Sequence, residues 1–152
     1  MNIVELNEKN LTEALKVFKR IRAPYYEQTF KDCPDDDAIK DSFYGAGGDG
    51  ITYVFTEKGS CNGLVTIDKS VAQIKNLSFD FSALADADLT KILEFTLKQF
   101  SAITLVFIWV SSLETEVIDL LENYGFEYTG EQDYIDKERF ISNYKYVFRR
   151  KK

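Results

Sequence analysis

Ala102-Ile103-Thr104-Leu105-Val106-Phe107-Ile108-Trp109-Val110 is almost continuously apolar, which reads as a central strand covered on both faces. Directly before it, from about Asp86 to Phe100, the residues Leu89, Ile92, Leu93, Thr96 and Phe100 recur on one helical face. Earlier still, Val71 to Phe79 reads as a strand. Strand, helix and strand in that order predict a right-handed parallel crossover, with Val71 to Phe79 beside Ala102 to Val110.

Downstream of this unit, Ser111 and Glu114 are spaced as a capping box, and Val117, Leu120, Leu121 and Tyr124 mark a helix face. Gly125 stops that helix in the left-handed position past its end. Phe126 to Gly130 and Phe140 to Phe148 supply two further strands, the second alternating through Ser142, Tyr144 and Tyr146. Upstream, a strand at Ile3 to Leu6 precedes a helix carrying Leu11, Ala14, Leu15, Phe18 and Ile21, opened by Asn10 with Glu13 and ended by Pro24. Asp35 caps a short second helix that turns Ile39 and Phe43 inward. Ile51 to Phe55 and Gly63 to Ile67 are joined to each other and to Val71 by turns short enough for an antiparallel meander. The order is β-α-α-β-β-β-α-β-α-β-β, a mixed α/β fold. It predicts a central mixed sheet of about seven strands flanked by four helices, in one domain spanning residues 1–152.

Composition narrows the chemistry. The chain has 152 residues, 45% hydrophobic and 29% charged, an ordinary globular balance. It contains no histidine, which removes serine and cysteine hydrolases built on imidazole and the HExxH zinc site. Cys33 and Cys61 are too few for an all-cysteine zinc site or a secreted disulfide framework, so no metal centre is expected. A reducing cytoplasm fits them, and the N-terminus lacks the basic and apolar regions of a leader. The net charge of −6 is uneven: residues up to Gln132 hold 12 basic and 22 acidic side chains, and the remainder 7 and 3. An acidic body disfavours nucleic acid and favours cationic ligands such as amines, and no apolar stretch suggests a membrane partner. Gly45 to Gly50 lacks the lysine and following helix of a P-loop. Asp35-Asp36-Asp37 lacks the alternation of a calcium loop. The basic end from Arg149 to Lys152 reads as a solvated terminus.

The element order, together with Asn123-Tyr124-Gly125-Phe126-Glu127, in which a helix ends in Gly-Phe, resembles the GNAT N-acetyltransferases over essentially the whole chain. The resemblance implies a GNAT-like fold in which the fourth and fifth strands splay and acetyl-CoA lies in the gap. The backbone of Leu77, Ser78 and Phe79 would then face the pantothenate amides. The family's Gly-rich pyrophosphate loop maps to Ala85-Asp86-Ala87-Asp88-Leu89-Thr90, which has no arginine, no glycine and two carboxylates. One carboxylate about 6 Å from a phosphate charge costs roughly 3 kcal/mol at an effective dielectric of about 20. An alternative register starts the helix near Ser82 and leaves Asp86 and Asp88 one turn inside. The tyrosine that the family often places four residues before the Gly of its Gly-Phe turn is Leu121 here, so a proton donor has to come from elsewhere.

For the acceptor side, Tyr25, Tyr26 and Glu27 would wall an amine site through aromatic faces and charge. Glu57 and Asp68, at strand ends, are the candidate general bases, because without histidine a carboxylate is the most accessible proton acceptor near neutral pH. The implied activity is acyl-CoA-dependent N-acyl transfer to a small-molecule or protein amine. The rival reading is a degenerate GNAT-like domain that has lost acetyl-CoA and works as a binding or regulatory module. The oligomeric state is open, a homodimer among the options.

Overall fold

A computed structural model describes residues 1–29, 33–45 and 48–150. The elements follow in the order β1 (Asn2–Glu5), α1 (Leu11–Thr29), α2 (Asp36–Tyr44), β2 (Gly50–Glu57), β3 (Ser60–Asp68) and β4 (Gln73–Phe79). Then come α3 (Asp86–Lys98), β5 (Leu105–Ser111), α4 (Thr115–Tyr124), β6 (Glu127–Asp136) and β7 (Ile141–Arg149). These strands share one sheet in the order β1-β2-β3-β4-β5-β7-β6. Among the described residues only β4 and β5 pair in parallel, as the crossover requires; every other pair is antiparallel.

Alternation along the strands divides the core. Val54 and Leu64 pack with Leu15 and Phe18 of α1 and Ile39 and Phe43 of α2. Their neighbours Phe55 and Val65 point the other way and pack with Ile92 and Leu93 of α3 and Leu121 of α4. The sheet is thus sandwiched by one helix pair on each face. Asp35 caps α2 as expected, its Oδ1 accepting from the Ala38 amide at 2.8 Å.

Four local expectations are corrected. First, Pro24 does not end α1, which continues to Thr29. Its last turn is held by the Thr29 hydroxyl, which donates to the carbonyls of Tyr25 and Tyr26. Second, Val71 lies outside β4, because Asp68 accepts from the Ser70 amide and hydroxyl and Ala72 takes a left-handed φ of 56°. Third, β5 is covered on one face only: Val106, Ile108 and Val110 are buried, while Leu105 is exposed and Phe107 and Trp109 are half-covered. Fourth, Gly130 does not end β6. It sits at φ 88° in a bulge where the register against β7 shifts, and the strand runs on to Asp136.

Ala46 and Gly47 of the glycine-rich run, and Lys151 and Lys152 of the basic end, lie outside the described residues. No helix of the structure is long and apolar enough to cross a membrane, among the described residues.

Candidate functional site

The parallel pairing of β4 and β5 is short. It joins Gln73 to Phe107 and Ile74 to Ile108, and beyond that the strands separate. The separation begins at a bulge. The register of β4 against β3 shifts between Leu64 and Thr66, and Asn76 takes a left-handed φ of 53°. Asparagine tolerates that conformation, and here its side chain is tied down, donating to the Thr66 hydroxyl at 3.0 Å and to the Ser42 carbonyl at 3.3 Å. Thr66 in turn bonds Thr52 at 2.7 Å, so the bulge is held by a buried hydroxyl network under α2.

Past the bulge, the Asp80 amide donates to Asn62 on β3 at 2.8 Å. Strand alternation therefore turns the peptide groups of Phe79 and Leu77 away from β3, toward the gap left by β5. Two cavities open there. The first, of about 430 Å³, is lined by Leu77, Ser78, Phe79, Asp80 and Ser82 with Arg20 above them. The second, of about 380 Å³, lies over Ile74 and Asn76 and is walled by Tyr26, Trp109 and Asn143. Tyr25 and Glu114 border both cavities.

Glu114 reaches this junction because Ser111 is the last residue of β5 and not a helix cap. The spacing read as a capping box is a tie across the β5–α4 turn: the Ser111 amide donates to Glu114 Oε1 at 3.3 Å, and the Leu113 amide to Ser111 Oγ at 3.2 Å. The Glu114 side chain is 7% exposed and pairs with Arg22 of α1, Nη1 to Oε1 at 2.9 Å. Arg22 also donates from Nη2 to the Leu77 carbonyl at 3.1 Å, while its buried Nε has no partner. Burial, and then the Glu114 carboxylate, push the Tyr25 hydroxyl above its ordinary pKa; burial does the same for Tyr26.

Structures of known proteins match this architecture over nearly the whole chain. An N-acetyltransferase from Staphylococcus aureus superposes with a TM-score of 0.73 at 15% identity, covering 97% of each chain. A ribosomal-protein-alanine N-acetyltransferase from Brucella melitensis gives 0.71 at 11% identity, covering 98% of this chain and 99% of that one. A spermidine N-acetyltransferase chimera built in part from the Vibrio cholerae enzyme gives 0.68 at 12% identity, covering 98% and 96%. The chain has the GNAT fold. No family model and no curated protein matches the sequence itself.

Within that fold the expected site residues separate into two groups. Leu77, Ser78 and Phe79 line the first cavity, and Tyr25 and Tyr26 line the second. Glu27 is exposed and lines neither. Ala85 to Thr90 is not a loop along the first cavity: Ala85 caps α3, Asp86 to Thr90 form its first turn, and Leu89 points into the core. The register that starts the helix near Asp86 is the one adopted. Asp88 Oδ2 accepts from the Ala85 amide at 3.2 Å, so one of the two loop carboxylates is a helix cap.

The two candidate bases lie away from the splay. Glu57 is exposed at the β2–β3 hairpin, and Asp68 is committed to Ser70 and, at 3.3 Å, to Lys75; neither lines these two cavities. Ser70 bonding, aided by Lys75, holds the Asp68 carboxyl below its ordinary range. The acid at the junction is Glu114, which the sequence presented as a helix cap.

The cleft's fit to acyl-CoA divides along its length. Outward-facing peptide groups at Leu77 and Phe79 suit an amide-bearing arm. At the outer end Arg20, the only cation lining the first cavity among the described residues, is paired with Asp80 at 3.0 Å, and Glu116 adds a further negative charge. That end is poorly matched to a pyrophosphate.

Proposed function

We propose that this protein transfers an acyl group from acyl-CoA to an amine, with the arm of the donor along β4 and the acceptor in the second cavity. The observation that carries this reading is the meeting of two cavities at Tyr25 and Glu114, beside unpaired strand edge at the β4–β5 splay. Acyl-CoA, when bound, supplies a thioester carbonyl for attack. Leu77 and Phe79 hold the arm through their peptide groups, and Tyr26 and Trp109 give the acceptor an aromatic wall suited to an ammonium. Glu114 is the carboxylate in reach of both cavities and takes the proton that an ammonium must lose before it attacks. Tyr25, kept protonated by its raised pKa, replaces the tyrosine missing at Leu121 and donates a proton to the departing thiolate. Leu121 is fully buried and has no access to the cleft. The two free cysteines accord with a cytoplasmic setting.

A non-catalytic binding module is the second reading, favoured by the acidic outer end of the first cavity. Thiol release from acetyl-CoA over a panel of primary amines and polyamines, alongside a calorimetric titration, decides between them. We expect amine-dependent release by the wild type, reduced about 10²- to 10⁴-fold in Glu114→Gln. Binding of an amine without any acetyl-CoA binding or thiol release would leave the module.

A further inference from the structure

Arg22 lines the second cavity and reaches across to the Leu77 carbonyl, on the β4 edge along which the donor arm is proposed to lie, so the role assigned to it rests on the acyl-donor reading. In an unbroken parallel sheet the Leu77 carbonyl would accept from β5; the splay removes that donor, and Arg22 Nη2 stands in its place at 3.1 Å. The other terminal nitrogen holds Glu114 on the opposite bank at 2.9 Å. One planar group thus spans the gap from β4 to the β5–α4 turn. An amide arm cannot use the inner part of the β4 edge while the guanidinium fills that gap.

We infer that Arg22 is a latch that closes the splayed cleft, released when the donor arm takes the Leu77 carbonyl. Three features fit a releasable contact better than a fixed brace. Arg22 Nε is buried without a partner, a cost that swinging outward to water relieves. Two residues further on, Pro24 cannot donate to the Arg20 carbonyl, so the helix is weakest where Arg22 is carried. The Arg22 side chain as a whole is also less enclosed than its partner, 18% exposed against 7% for Glu114, which leaves it a route out. Release has a chemical consequence: Glu114 loses its neutralising cation only once the donor is seated. The base therefore becomes competent in the presence of the thioester and not before, which makes donor binding precede proton removal from the amine.

The test is acetyl-CoA affinity by calorimetry, with emission of Trp109, the single tryptophan and a wall of the second cavity, as an independent readout. The variants are Arg22→Met and the double change Arg22→Met with Glu114→Gln, which avoids leaving a buried carboxylate unpaired. A latch lowers wild-type affinity by the fraction of open molecules, so both variants are expected to bind acetyl-CoA about tenfold tighter or more. Wild-type acetyl-CoA binding should shift Trp109 emission as the latch opens. Wild-type binding that is equal to or tighter than that of the variants overturns the latch and leaves the acyl-donor reading in place. An absence of acetyl-CoA binding by wild type and variants alike overturns both. Should neither variant fold, Arg22→Lys makes the same comparison, because a lysine can pair Glu114 but cannot span to Leu77.

Discussion

Asp68 and Glu114 are both buried carboxylates facing a cation, and their surroundings give them different work. Asp68 has its oxygens used up by the Ser70 amide and hydroxyl and by Lys75, all within one hairpin. These partners favour the charged form, so its folded pKa lies below the unfolded value. Stability from Asp68 is therefore fully present above the unfolded pKa and is lost as the pH falls through the folded one. We expect the urea midpoint of the wild type to exceed that of Asp68→Asn near neutral pH, and the difference to shrink on going below about pH 4. A gap that stays constant down to about pH 2 would mean that the turn is held by shape and not by charge. Glu114 instead has one long-range partner from α1, and its position between two cavities leaves it open to a ligand. Sequence showed both residues as acids near element ends. Which one faces a cleft depends on Arg22, 92 positions away, and no local pattern encodes that contact.

The elements show where local rules were overruled. Pro24 removes a helix bond, and propensity alone would stop α1 there at a cost of about 3 kcal/mol. Packing of Tyr25 and Tyr26 at the cleft and the Thr29 back-bonds carry the helix past it. In β6, Gly130 was legible as a break because glycine takes a positive φ easily, yet pairing with β7 converts the break into a bulge. β3 and β4 approach closely at Gly63, where an added Cβ would lie 2.2 Å from the Ser78 carbonyl of β4. Backbone cannot move aside as a flexible side chain can. Gly63→Ala should therefore destabilise the fold by about 2 kcal/mol or more, read as a lowered denaturant midpoint. It should also weaken any ligand of the first cavity, since Ser78 lines it. An unchanged midpoint would show that β3 and β4 can separate without cost.

At the scale of the molecule, the two helix pairs draw on one sheet: Val54 and Phe55, adjacent in β2, feed opposite cores. Neither half can keep its core if the sheet is lost, so we expect one cooperative unfolding transition, with calorimetric and van't Hoff enthalpies equal. Acetyl-CoA at about 100 times its Kd should raise stability by about 2.7 kcal/mol, or a melting temperature higher by roughly 5 to 10 °C. Two separate transitions would refute the single-domain reading. The sequence by itself determined the element order and the parallel crossover, because these follow from hydrophobic period and short turns, which are local; Leu77 to Phe79 at the cleft was implied only by the resemblance to the GNAT enzymes. The sequence also excluded imidazole chemistry, which is a matter of composition. Only the tertiary structure decided that α1 runs through Pro24 and that Arg22 and Glu114 meet across the splay. Those outcomes rest on contacts between distant segments, whose free energies outweigh local preference only after the sheet has brought the segments together.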